Sequence, residues 1–449
     1  MAEKNILVKE TKIRKTETRK IFTGLSSFET IAMFRRGLFY CYLSIYLRNF
    51  LGLSVTETTL FATIPMIMNA SFQTFVWGKL SDRYQLRRTL IIIGEIMGGI
   101  GTIITWYVHT IPSEKKLAAY VIIAGLSCIE IFWSMSNIGW SSLLSDVFPE
   151  KKRSKVQGRI ASISGFGQIL GVWIGGVLYN GMGNQYEGWG FFEGSLFFVA
   201  SFAMFISVIP MLFMPEGGVT QSSNNGDNNR GNNFNIKIFV IFLGGMVFIN
   251  FGRNMVSVIL PQYLVLKDGF NVSSSFLSYI VNSQAMATII AGFFVGIVTT
   301  RLGVKRTLLS GSVLASFSLL IFSLTSNIWM VFIGSFLRGA SDIIVLSSSY
   351  TIASTLIPPE KRARLFGYFN ATIFLSWGLA STTIAGPVTD TLIALGKSEV
   401  FSFKAAFFSG FLLIIIGIAV LYYLFHYRML NRKDLKRMKN EEINRSLTT

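Results

Sequence analysis

Apolar stretches of 20 to 30 residues, separated by short polar loops, fill almost the whole chain. They lie near 28–52, 58–79, 89–109, 118–147, 159–180, 191–214, 236–264, 273–298, 306–325, 328–356, 365–388 and 401–427. A helix needs roughly 20 apolar residues to cross a bilayer, and each stretch is long enough. Isolated strands would leave backbone groups unpaired in lipid, and the stretches are too uniformly apolar for a membrane barrel. The pattern predicts an all-α integral membrane protein with twelve transmembrane helices.

One polar interruption is longer than the rest. Residues 215–235 are dominated by Asn, Gly and Ser, with almost nothing to bury, so they read as a flexible linker. The linker divides the spans six and six. This predicts a basic tail over 1–25, a bundle over 26–214, the linker, a second bundle over 236–427 and a basic tail over 428–449. The two bundles also repeat each other. Gly78-Lys79-Leu80-Ser81-Asp82-Arg83 opens a basic turn ending at Arg87-Arg88, and Gly296 to Arg301 opens a similar turn ending at Lys305-Arg306, 218 residues later. Pro149-Glu150-Lys151 recurs as Pro359-Glu360-Lys361. Arg36 stands ten residues before Tyr46-Leu47, and Arg253 stands ten before Tyr263-Leu264. Duplication of a six-helix unit accounts for all three, giving two pseudo-symmetric six-helix bundles.

Composition agrees, with 51% hydrophobic residues, only 14% charged and a mean hydropathy of +0.51. The net charge of +18 is concentrated in the tails and in the loops after the second, fourth, eighth and tenth spans. The positive-inside rule then places both termini in the cytoplasm of a cell-membrane protein. Basic residues that flank spans point to anionic lipid as the partner, and not to nucleic acid. The tail before Ser26 is too polar for a cleaved signal peptide. Cys41 and Cys128 read as small apolar fillers, with no disulfide, metal site or cofactor expected. Nothing in the chain assembles a nucleophile, a histidine pair or a phosphate loop, so an enzyme is not expected.

With twelve spans, a polar middle and these loops, the chain resembles the major facilitator superfamily over nearly its whole length. The Gly78–Arg88 stretch is similar to that superfamily's loop motif between spans two and three. Gly158, Gly167, Gly171, Gly175 and Gly176 resemble the fifth-span motif of its drug–proton antiporters, although Val172 stands where that motif has Pro. The resemblance implies a monomer that moves a small-molecule substrate by alternating access. It also implies a cytoplasmic latch formed by Asp82, Arg83, Arg87, Asp146 and Arg153, made when the protein faces outward. In the repeat, Thr300 replaces Asp82 and Thr355 replaces Asp146, so the latch is expected in one half only.

Charges at membrane depth point to a site, because each costs about 2.5–3.5 kcal/mol on insertion scales. The candidates are Arg36, Glu95, Glu130, Arg253, Arg338 and Asp342. Arg36 and Arg253 hold equivalent places in the two halves and can grip one anion between them. That arrangement is similar to organophosphate–phosphate antiporters. Arg35 sits beside Arg36, and the sequence leaves open which of them faces the cavity. Tyr40, Asn250, Asn254 and Arg338 join the expected substrate set. Glu130 heads a polar stripe with Ser134, Asn137 and Ser141; a lone carboxyl at that depth can exchange a proton. Arg338 and Asp342, four apart, are expected to pair along one helix face, and Asp342 is a second candidate for proton coupling.

Two substrate classes remain open. One is a small organic anion held by Arg36 and Arg253, toward which the arginine pair tips the reading. The other is a lipophilic compound exported against protons, with Phe39, Tyr40, Trp133 and Trp377 lining the cavity. A sensor or scaffold without turnover would be expected to show an eroded loop motif.

Overall fold

The computed structural model describes residues 2–148, 150–182, 185–216, 235–357 and 362–428. The first half holds α1 (Ala2–Ile45), α2 (Val55–Phe72), α3 (Gly78–Tyr84), α4 (Arg88–His109), α5 (Lys115–Val147), α6 (Glu150–Tyr179), α7 (Trp189–Phe192) and α8 (Ser195–Leu212). The second holds α9 (Ile236–Asn254), α10 (Val256–Leu264), α11 (Ser274–Leu302), α12 (Val304–Leu324), α13 (Ile328–Leu356), α14 (Arg362–Ala380), α15 (Gly386–Ala394) and α16 (Glu399–Tyr423). π-helical turns at Tyr46–Phe50, Gln73–Trp77 and Ser381–Ala385 extend α1, join α2 to α3, and join α14 to α15. Among the described residues, 10 spans are long and apolar enough to cross a membrane. The other two predicted spans are the later part of α1, which carries Glu29, Arg35 and Arg36, and α2, whose threonines dilute its hydropathy. The linker and the tail beyond residue 428 lie outside the described residues, apart from the linker's ends at 215–216 and 235.

Local chemistry sets the helix ends. Ser54 accepts from Glu57 N at 3.2 Å while the Glu57 carboxylate accepts from Ser54 N at 2.7 Å, a reciprocal cap on α2. Ser273, Asn327 and Ser398 cap α11, α13 and α16 with their side chains. The repeated loop breaks its helix at the same position in both halves, on a residue with positive φ. Gln85 has φ 54° and Gly303 has φ 80°, and these two positions correspond in the sequence repeat. Gln85 is in the left-handed helical region at ψ 29°, whereas Gly303, at ψ 148°, takes an extended conformation with positive φ that Gly alone adopts freely.

The duplication is visible in the packing. α1 lies against α6 and α8, α4 against α5 and α8, and α2 against α5. In the second half α9 lies against α14 and α16, α12 against α13 and α16, and α11 against α13. The halves meet where α2 crosses α14 and α15, and where α6 crosses α11. Glycine makes the α1–α6 contact close. A Cβ at Gly167, Gly171 or Gly175 would run into the carbonyl oxygens of Thr30, Phe34 and Leu38. The fifth-span glycines therefore have a packing role in this chain.

The described residues that flank the linker and the tails, 25, 216, 235 and 428, mark one end of the bundle, here the tail end; the opposite end is the far end. One core cluster is shared by the halves, joining Leu43, Tyr46 and Phe61 to Ile259, Tyr263 and Phe403. Two further clusters each belong to a single half, one around Leu143 and Met211, the other around Phe242 and Phe369. The shared cluster lies toward the far end and the separate ones toward the tail end. Described hydrogen bonds between the halves follow the same division. Ser274 donates to Gly176 O at 2.9 Å, Asn282 to Ile169 O at 3.1 Å, and Thr382 bridges Thr59 and Thr63. Near the tail end, a Cβ on Gly158, Gly296 or Gly367 would meet nothing within 4 Å. The two halves are closed at the far end and parted at the tail end.

Candidate functional site: a carboxylate among aromatic rings

Glu130 lies midway along α5, only 5% exposed. Asn69 of α2 donates to one carboxylate oxygen at 2.6 Å, and the Tyr40 hydroxyl of α1 donates to the other at 3.4 Å. Among the described residues it has no ion-pair partner. Around it stand Tyr40, Phe61, Trp133 and Trp377, with Tyr40 at 5.9 Å from Trp377 and 6.5 Å from Trp133 between ring centroids. Phe61 stacks on Tyr40 at 6.3 Å and meets the edge of Trp377 at the same separation. Trp377 comes from α14, so this ring set is built by both halves. Next to it, Ser376 accepts from Asn254 at 2.7 Å.

Arg35 and Arg36 go different ways, as neighbours on a helix must. Arg35 is buried, bonds Glu95 of α4 at 2.9 Å, and lies 3.9 Å over the Trp133 ring. Ser136 donates to the other Glu95 oxygen at 2.8 Å. Arg36 is half-buried and has no ion-pair partner among the described residues. It donates to Met33 Sδ at 3.9 Å and shares a helix face with Tyr40, one turn on.

In the second half, the expected pairing of Arg338 with Asp342 does not occur. Asp342 instead accepts from Arg253 at 3.1 Å and from Gln284 at 3.1 Å, while Arg253 also reaches the Asp342 carbonyl and Asn250 Oδ1. An Arg four residues before an Asp is the weaker order for a helical pair, and Arg253 approaches from α9 with two donors on one nitrogen. Arg338 is left with Ser257, to which it donates at 2.6 Å. This pairing also changes the expected anion grip, since Arg253 already holds a carboxylate. Asn250 further donates to Thr372 at 3.2 Å.

At the tail end, Arg87 Nε bonds Asp146 at 3.1 Å, and a second Arg87 nitrogen donates to Ser81. Arg83 is exposed beside Tyr84, and Arg301 is exposed in the second loop. Gly78 continues the helix after the π-helical turn of α2, while Gly296 stands in open space. The side chains of Asp82 and Arg153 lie outside the described residues. What is described of the latch is therefore the Arg87–Asp146 pair, which belongs to one half.

Sequence reasoning missed the far-end closure. Asp390 of α15 accepts from the backbone N–H groups of Val55 and Thr56 at 3.0 and 2.8 Å, capping α2 from the other half. Arg48 and Glu399 pair across the halves nearby at 3.1 Å. The signal was a lone Asp just past an apolar stretch. A charged cap on a helix N-terminus is worth about 1 kcal/mol, roughly fivefold in a two-state population. Asp390→Ala should therefore favour the state open at the far end. Labelling of a Thr59→Cys variant by an impermeant thiol reagent should rise, and unchanged labelling would mean the cap does not hold the closure.

The halves' matching packing, the six-and-six division and the crossing of α2 with α14 and α6 with α11 are now joined by a sequence comparison. The model of the Major Facilitator Superfamily matches residues 25–248 and 241–442. The chain belongs to this superfamily. It is a multi-pass membrane transporter of small-molecule substrates, and not an enzyme. The chain is 25% identical to Multidrug resistance protein MdtG of Proteus mirabilis over 363 residues, which is 79% of this chain and 82% of that protein. It is 29% identical to Quinolone resistance protein NorA of Staphylococcus aureus over 140 residues, 31% of this chain and 35% of that protein. Among solved structures, a bacterial homolog of the human lysosomal transporter Spinster, in an inward-facing and unoccupied conformation, superposes with a TM-score of 0.68. It is 14% identical and covers 91% of this chain and 97% of that one.

Proposed function

We propose that this transporter exports lipophilic cations in exchange for protons, with Glu130 as the group that proton and substrate share. The observation that carries the reading is the surroundings of Glu130: a buried carboxylate that forms no ion pair among the described residues, under aromatic rings drawn from both halves. A carboxylate supplies charge, and Tyr40, Phe61 and Trp377 supply apolar contact and cation–π attraction, while Trp133 carries Arg35 on its ring. A guest there would touch both halves at once, as alternating access around a central site requires. The drug-resistance relatives agree with the reading. The engagement of Arg253 by Asp342 weighs against the alternative, an anion held between two arginines.

The basic residues at the tail end support a cytoplasmic position for that end in a cell membrane, and on that reading the state described here faces inward. In that state Glu130 gives up its proton to the cytoplasm and takes a cation. Rocking the halves closes the tail end and breaks the Asp390 cap and the Arg48–Glu399 pair. The cation leaves outside as a proton returns. Asp342, 27% exposed and held by Arg253, is the second carboxyl on the cavity side.

The test is transport in liposomes. A fluorescent lipophilic cation should move toward the acidic side of vesicles containing the purified protein, and collapsing the pH gradient should stop it. Movement of sugar phosphates or organic anions, with none of the cation, would overturn the reading.

A further inference from the structure

The interior charges of the two halves do not balance separately. In the first half Arg35 is consumed by Glu95, which leaves Arg36 against Glu29 and Glu130, an excess of one negative charge. In the second half Arg253 and Arg338 share the single carboxylate of Asp342, which bonds Arg253, an excess of one positive charge. Arg338 is 6% exposed, its Nε has no hydrogen-bond partner, and no carboxylate lies within ion-pair distance among the described residues. Its described bond goes to a neutral hydroxyl, Ser257. A buried guanidinium in that condition is costly, and an anion from outside the chain would relieve the cost.

A continuous set of contacts links this arginine to Glu130. Arg338 bonds Ser257, which stands one helical turn from Asn254. Asn254 bonds Ser376, the neighbour of Trp377, and Trp377 meets Tyr40 over Glu130. Glu130 and Arg338, neither of them in an ion pair, are thus the two ends of one polar and aromatic wall that crosses the junction of the halves, and each lies in the half whose excess charge has its own sign.

We propose that Arg338 is a second substrate-charge site, and that the preferred substrates are amphoteric: aromatic molecules carrying a cationic amine and an acidic group. The amine sits on Glu130 and the acid on Arg338. Such a molecule is neutral overall, matches each half with the opposite charge, and ties the halves together when bound. This deepens the proposed cation reading and rests on it for the Glu130 end.

The test uses three probes of one skeleton, at mildly alkaline pH so that the amine is charged. They are a biphenylmethylamine, the same amine with a carboxylic acid at the far end of the rings, and the methyl ester of that acid. Binding is measured on the purified protein in detergent. The acid should bind about tenfold more tightly than its ester, the scale of one charge-assisted hydrogen bond. Arg338→Gln should erase that preference while leaving amine and ester affinity within about twofold, and Arg338→Lys should restore part of it. The unliganded thermal midpoint of Arg338→Gln should be at or above that of the unaltered protein, because an unpaired buried charge has been removed. Equal binding of acid and ester in the unaltered protein overturns the proposal and leaves the cation reading standing. A preference that survives in Arg338→Gln, or a clear loss of its unliganded stability, overturns it too. Failure of all three probes to bind removes both readings.

Discussion

Glu130→Gln abolishes proton-driven movement of a lipophilic cation and flattens its pH dependence. Glutamine fills nearly the same volume and can still bond Asn69 and Tyr40, so the ring set and the helix packing stay in place. What disappears is the charge and the ability to exchange a proton. Truncating one partner of a buried charge pair costs about 2–5 kcal/mol in binding, roughly thirtyfold or more. In the unaltered protein, protons compete with the cation for one carboxylate, so apparent affinity should fall as the pH is lowered. In the glutamine variant the residual affinity should be independent of pH. Titrating cation binding across pH in both proteins checks this, and a pH-dependent affinity retained by the variant would remove Glu130 from the role.

Glu95→Ala acts on the fold. Arg35 and Glu95 are both almost fully buried and tie α1 to α4 at 2.9 Å, with Ser136 satisfying the other carboxylate oxygen. Removing the carboxylate leaves the Arg35 charge stacked on Trp133 with no counter-charge, a loss of about 3–5 kcal/mol. The thermal midpoint in detergent should drop sharply, and little protein should survive purification. Glu95→Gln keeps the hydrogen bonds and should lose less. Replacing both members, Arg35→Met with Glu95→Leu, should recover most of the loss, since it removes the stranded charge. A Glu95→Ala protein with an unchanged midpoint would show that water or another group compensates Arg35.

Much of this architecture can be read along the chain because its causes are local. A bilayer-length apolar stretch becomes a helix whatever its neighbours do, since lipid offers its backbone no other partners. The Gly78 and Gly296 loops repeat in sequence and break their helices at corresponding residues, Gln85 and Gly303, both with positive φ. The glycines of the fifth span were equally visible, although their part in packing α6 onto α1 needed the partner helix to be known.

Charge pairing was not legible, because it depends on which helices lie side by side. Arg338 and Asp342 are neighbours in sequence, yet the packing of α9, α11 and α13 gives Asp342 to Arg253 and Gln284. Arg35 and Arg36 cannot be told apart by composition or depth; their separation on the helix and the place of α4 give Glu95 to Arg35. Asp390 shows nothing until α15 is brought to the N-terminus of α2. The sequence by itself determined a membrane chain of two repeated six-helix halves, and the residues whose burial is costly enough to mark a site. The tertiary structure alone decided which of those charges pair directly within the protein and which, Arg36, Glu130 and Arg338, form no ion pair among the described residues. Helix formation is settled by each residue's own surroundings in lipid. A charge is settled only by the partner that folding brings within a few ångströms of it.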